Sequence, residues 1–321
     1  MHRDSQEGRR TGFAPIVVSV YDRLTHLKSC VESLSACDDA AKSILHVYSD
    51  APARDEHAGR IAEVRSYIGT VEGFRCVIPH FRSANMGAHG SISSALEEVF
   101  SESDRLIFLE DDIVVSPHFL RYMNECLEHF RDDPRILAIC AYTLPFRMPK
   151  WYRKDVFLGR RYSPWGVGLW KHKWEEIDFS WRDRYRELLN DRSLMRRSKD
   201  VGGDYVLLVE ADSQKRMEAM DVRVCHHQIS RGQFCVFPRK SLSTNIGFDG
   251  SGMHCFETQR FDAELDTRSS YSIRLPQRLR ESLVIRARYR DFQDGKAGFT
   301  ERLRRKARHA VQLLRNHEGT H

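Results

Sequence analysis

Nowhere in these 321 residues does an apolar run approach the roughly 20 residues that cross a bilayer as a helix, so a helical membrane span is excluded. The first twelve residues are polar and charged, with no apolar stretch behind them. No secretory signal is therefore expected, and the cytoplasm is the expected address. Paired cysteines are missing too. The eight cysteines (Cys30, Cys37, Cys76, Cys126, Cys140, Cys225, Cys235, Cys255) are scattered without a C-x-x-C pair, and several sit in apolar surroundings, as Cys140 does in Leu137-Ala138-Ile139-Cys140-Ala141. This is not a disulfide framework, and the thiols read as reduced and mostly buried. Zinc built from His226, His227, His254 and Cys255 lacks any recognised spacing. Internal repeats and low-complexity segments are also lacking.

What is present is the composition of a soluble globular protein, 41% hydrophobic and 10% aromatic, long enough to bury a full α/β core. The net charge of +6 is unevenly spread. From Arg274 onward there are 13 Lys/Arg against 5 Asp/Glu, which leaves the first 273 residues slightly negative. That distribution argues against a nucleic-acid-binding core and for a basic appendage. The expected organisation is a disordered leader over 1–13, a catalytic domain over 14–273 and a basic helical tail over 274–321.

Apolar, β-branched runs at 14–21, 43–50, 75–79 and 105–109 read as buried strands. Between them, residues 25–34 and 55–68, and a stretch that starts at the turn Asn85-Met86-Gly87 and runs to Phe100, carry helical spacing. Four strands alternating with helices predict βαβ units and a mainly parallel sheet, whose ligands gather at the carboxyl ends of the strands. Tyr21-Asp22-Arg23, Asp50 and Glu110-Asp111-Asp112 all fall at such ends. A further helix begins at Ser116-Pro117, and past Ala141 the chain becomes irregular and rich in aromatics.

Glu110-Asp111-Asp112 follows a buried strand and precedes Ile113-Val114-Val115. Three adjacent carboxylates there repel one another and are costly to desolvate. A hard divalent cation, Mg²⁺ or Mn²⁺, relieves that conflict by taking carboxylate and phosphate oxygens together.

Four ordered segments give the triplet a context. They are Pro15 to Arg23, Leu109 to Tyr122, Ser163-Pro164-Trp165-Gly166-Val167-Gly168-Leu169-Trp170-Lys171-His172-Lys173-Trp174, and Asn245-Ile246-Gly247-Phe248-Asp249-Gly250-Ser251-Gly252-Met253-His254-Cys255. With them the chain resembles nucleotide-sugar-dependent glycosyltransferases of the GT-A type, in particular the bacterial relatives of N-acetylglucosaminyltransferase I. The resemblance spans about residues 14 to 256. It implies a Rossmann-like α/β domain and an inverting transferase that moves a sugar from a donor, expected to be UDP-linked, to a hydroxyl of a saccharide or lipid-linked acceptor.

The resemblance also implies roles. The triplet is a form of the D-x-D motif, with Asp112 binding the metal and Glu110 and Asp111 facing the ribose and the donor sugar. Asp50 contacts the base, and Tyr21, Asp22 and Arg23 lie near the nucleotide. Asn85 and Gly87 open a helix whose backbone approaches the donor. Trp165 and Gly166 line the donor-sugar or acceptor pocket, while Trp170 and Trp174 are expected to be packing. His254 is a second candidate metal or pyrophosphate ligand. The base that deprotonates the acceptor is an acid preceding Arg223, and two alignments of Glu218-Ala219-Met220-Asp221-Val222-Arg223 place it on Asp221 or on Glu218.

Residues 299–314 set Phe299, Leu303, Ala307, Val311 and Leu314 on one helical face among basic residues, which suggests contact with the inner face of an anionic membrane. Two other readings stay open. One is a catalytically inactive saccharide-binding or assembly protein that keeps the fold. The other is a nucleotidyltransferase, although Tyr21-Asp22-Arg23-Leu24-Thr25 is not the glycine-rich basic loop expected of one.

Overall fold

The computed structural model describes residues 12–250, 258–268 and 271–295. The first half is built as the apolar pattern requires. β1 (Ile16–Val20), β2 (Ile44–Ser49), β3 (Cys76–Phe81) and β4 (Arg105–Glu110) are parallel neighbours. They are linked by α1 (Leu24–Ser35), α2 (Ala58–Ile68) and α3 (Gly87–Glu102). After β4, the short strand β5 (Ile113–Val115) leads into α4 (Phe119–His129) and β6 (Ile136–Cys140).

The second half adds β7 (Val156–Gly159), β8 (Val167–Trp170), the single turn α5 (Lys171–Trp174) and four helices: α6 (Arg184–Asn190), α7 (Arg192–Lys199), α8 (Gly203–Ser213) and α9 (Met220–Arg231). β9 (Phe234–Pro238), β10 (Ser243–Asn245) and α10 (Leu283–Gln293) follow. The main sheet has the order β3-β2-β1-β4-β8-β6-β9-β7, with β8 and β7 antiparallel to their neighbours. β10 pairs with β5 in a separate antiparallel ribbon. The expected mixed, mainly parallel sheet flanked by helices is therefore found.

Alternate residues of each strand enter two apolar layers. Ile16, Val18, Ile107 and Leu109 face α1, α2 and α4, whereas Val17, Leu106 and Phe108 face α3 and the helices of the second half. The described part of the expected tail is packed on this body, with Leu279, Ile285 and Tyr289 buried. Six of the seven described cysteines are free and buried, and Cys76 is exposed. Among the described residues, no helix is long and apolar enough to cross a membrane.

Candidate active site

The parallel strands β1 to β4 deliver their carboxyl ends to one edge. There Asp50 is buried, and both of its carboxylate oxygens are engaged. It accepts from the backbone N of Ala51 (2.8 Å) and of Met86 (3.0 Å), and from Asn85 Nδ2 (3.2 Å). Asn85 also donates to the Ala51 carbonyl at 2.7 Å. This network fixes the turn that enters α3. Gly87 takes φ +71° at the first residue of the helix, a backbone state that disfavours a side chain, and open space lies where its Cβ would be.

On the β1 side, the Tyr21 hydroxyl meets His57 Nδ1 at 2.6 Å and accepts from the Ala53 backbone N at 2.9 Å. Asp22 pairs with Arg60 at 2.7 Å. Both side chains therefore brace the loop after β1 against the connection between β2 and α2.

Arg23 turns the other way, into the acidic cluster. Its guanidinium binds Asp111 and reaches Asp112 Oδ2 at 2.8 Å. Asp111 and Asp112 are buried, and Asn245 Nδ2 donates to Asp112 Oδ1 at 3.3 Å. The Ile246 backbone N donates to the Asp112 carbonyl at 2.9 Å, which ties the end of β10 to the triplet. A Cβ on Gly247 would stand 2.3 Å from Asp112 Oδ2 and 3.1 Å from an Arg23 nitrogen, so only glycine fits there.

Neutralisation is incomplete. Burial pushes the Glu110 carboxyl up to about 8, with repulsion from Asp112, Asp111 and Asp221 adding to it and Arg23 opposing. Burial raises Asp111 to about 6 despite the bound Arg23. That Glu110 feels Asp221 places this acid, from the first turn of α9, within electrostatic reach of the triplet. Asp221 is itself held above the usual carboxylate range by burial, with Arg161 opposing. Glu218 stands at the rim instead. It is 60% exposed, 3.8 Å from His89 Nδ1 on α3 and 3.7 Å from Arg223.

Behind these acids, the buried pair Asp212–Arg223 (3.0 Å) ties α8 to α9. Asp212 also accepts from the Ala219 backbone N at 3.3 Å, at the residue that caps α9. Trp165 is partly exposed among Tyr142, Phe248 and Phe261, edge-on to each ring. Gly166 is buried with φ +80°, and a Cβ there would meet the Phe119 ring at 3.0 Å. Its glycine thus has a reason in packing. Trp170 and Trp174 are buried as expected, Trp170 donating from Nε1 to the Leu127 carbonyl at 3.0 Å. His254 lies outside the described residues.

Sequence reading missed the pairing of Arg23 with the triplet, the Asn245–Gly247 wall and the Asp212–Arg223 tie. Asn245 and Gly247 left a trace as members of the fourth segment, and Arg23 and Arg223 were noted without their partners.

Among the described residues, no three His, Cys, Asp or Glu side chains converge as a ready-made metal site. The donor chemistry nevertheless fits a hard divalent cation. Oxygens of Asp111 and Asp112 meet on one nitrogen of Arg23, and hard oxygen donors of this kind suit such an ion. Asp112 would hold such an ion once Arg23 releases its Oδ2.

No family model matches the chain, and no curated protein does. Solved structures do show likenesses. The crystal structure of S. aureus TarS is 10% identical with a TM-score of 0.41, over 71% of this chain and 36% of that one. The mannosyltransferase PcManGT from Pyrobaculum calidifontis, in complex with GDP-Man and Mn²⁺, is 10% identical with a TM-score of 0.37, over 68% and 69% of the two chains. S. aureus TarS 1–349 in complex with UDP-GlcNAc is 11% identical with a TM-score of 0.33, over 48% and 44%. The chain thus spans about a third of the length of TarS, and likenesses this loose say nothing of what it binds.

Proposed function

We propose that this chain is a metal-dependent, inverting glycosyltransferase of the GT-A type that takes its sugar from a nucleotide donor, UDP-linked by the resemblance. The observation that carries the reading is the acidic triplet at the carboxyl edge of a parallel sheet, with Asp111 and Asp112 buried against the guanidinium of Arg23.

In this reading Asp112 holds the cation, and Glu110 and Asp111 bind hydroxyls of the ribose and donor sugar. Arg23, released from the carboxylates, offers its guanidinium fork to the diphosphate. A divalent cation bound at Asp112 supplies positive charge to the leaving diphosphate. Asp221 is the base. It takes the acceptor hydroxyl proton as the oxygen bonds to the anomeric carbon and the bond from that carbon to the diphosphate oxygen breaks. Its raised pKa makes it a stronger base than an exposed aspartate. Glu218, solvated at the rim, has no such advantage.

The test is a thermal-shift screen of nucleotide sugars with and without Mn²⁺, followed by turnover. One donor with Mn²⁺ is expected to stabilise the wild type, and Asp112→Asn to lose that shift. Asp221→Asn is expected to keep donor binding and lose about 10²–10⁴-fold in kcat. If no nucleotide sugar shifts the wild type, the reading is wrong. Binding without turnover would identify the saccharide-binding alternative.

A further inference from the structure

Remote from the acidic cluster in sequence, helices α6, α7 and α10 enclose a groove of about 440 Å³. Leu189 and Met195 contribute apolar surface to it, and Arg192, Arg196, Lys199 and Arg290 its charge. Arg192, Arg196 and Lys199 recur at intervals of four and three along α7. That spacing sets them on one exposed face, while Leu194 and Ser198 are buried on the other. Arg290 pairs with Asp200 at 3.5 Å. Among the described residues, the three cations of α7 form no ion pair, so the groove presents positive charge in excess.

We propose that this groove docks the chain on an anionic phospholipid surface, with headgroup phosphates against the α7 cations and the outer acyl region against Leu189. Charge complementarity sets the sign of the partner. Aliphatic exposure sets its kind: Leu189, on the groove, is 59% exposed. Recognition of single-stranded nucleic acid would use aromatic stacking platforms, which the groove lining lacks. An extended partner is favoured over a small anion because the basic sequence continues. Beyond α10, residues 296–321 carry seven Lys/Arg against Glu301 and Glu318, so this segment has the wrong charge to fill the groove itself.

The experiment is co-sedimentation of the full chain with phosphatidylcholine vesicles, with and without about 30% phosphatidylglycerol. The wild type is expected to partition at least about a hundredfold more strongly onto the anionic vesicles, and to be released as salt screens the contact. Arg192→Gln, Arg196→Gln and Lys199→Gln together are expected to weaken that partition about a hundredfold, at roughly fivefold for each cation near the surface. Leu189→Ser is expected to weaken it without changing its salt dependence. The triple variant alters only exposed side chains, so its melting temperature and any donor-induced shift should match the wild type. Equal binding to neutral vesicles, or unchanged binding of the triple variant, overturns the proposal. So does an oligonucleotide that competes the vesicles away and loses its own binding in the triple variant.

Discussion

Desolvation of Glu110, reinforced by Asp112, Asp111 and Asp221 and opposed by Arg23, sets how the metal-free protein responds to pH. The unfolded chain releases the Glu110 proton near 4.5, whereas the folded chain keeps it to about 8. Between those values the folded state binds more protons, so this group makes stability fall as pH rises from about 4.5 to about 8. Glu110→Gln is therefore expected to raise the melting temperature of the metal-free protein by several degrees at pH 8 and to leave it nearly unchanged at pH 4.5. Calorimetry at the two pH values is the check, and an equal effect at both would count against a half-buried, protonated Glu110. At this scale the triplet was legible in the sequence, because three carboxylates after a buried strand are anomalous wherever they occur. Arg23 was legible only as a residue near the site. Its partners are 88 and 89 positions away, and no local pattern encodes that distance.

The elements divide along similar lines. β1 to β4 were readable because parallel strands covered on both faces are continuous apolar runs, and the helices between them carry an apolar stripe. The stretch from Arg184 to Arg231 was not resolved into its four helices. These are short, and α8 has almost no segregation of polar from apolar residues, since contacts with neighbouring helices rather than an amphipathic face decide where it lies. The start of α9, which carries Asp221, depends on one such contact. Asp212→Asn removes the charge that balances buried Arg223, whose side chain is 6% exposed. Breaking a buried pair on one side is expected to cost about 3–5 kcal/mol. Urea unfolding measures the loss, and a second substitution, Arg223→Met, should recover part of it. No recovery would mean that the pair acts through something other than its charge.

Across the whole molecule, the two apolar layers are not independent, because adjacent residues of one strand enter opposite layers. Trp170 belongs to one layer and Trp174 to the other. Urea unfolding followed by tryptophan emission and by far-ultraviolet circular dichroism is therefore expected to give coincident midpoints, and separated midpoints would show that the layers unfold apart. Fold class was legible at this scale because it follows from the order of elements. Which distant segments close the acidic edge was not, because the β5–β10 ribbon joins residues about 130 apart. That ribbon has a consequence for biosynthesis. When the ribosome has made Asp112, its neighbours Asn245 and Gly247 do not yet exist, and the edge stays unwalled until more than a hundred further residues have emerged. A nascent amino-terminal half therefore emerges with its acidic edge open on the side that Asn245 and Gly247 later cover.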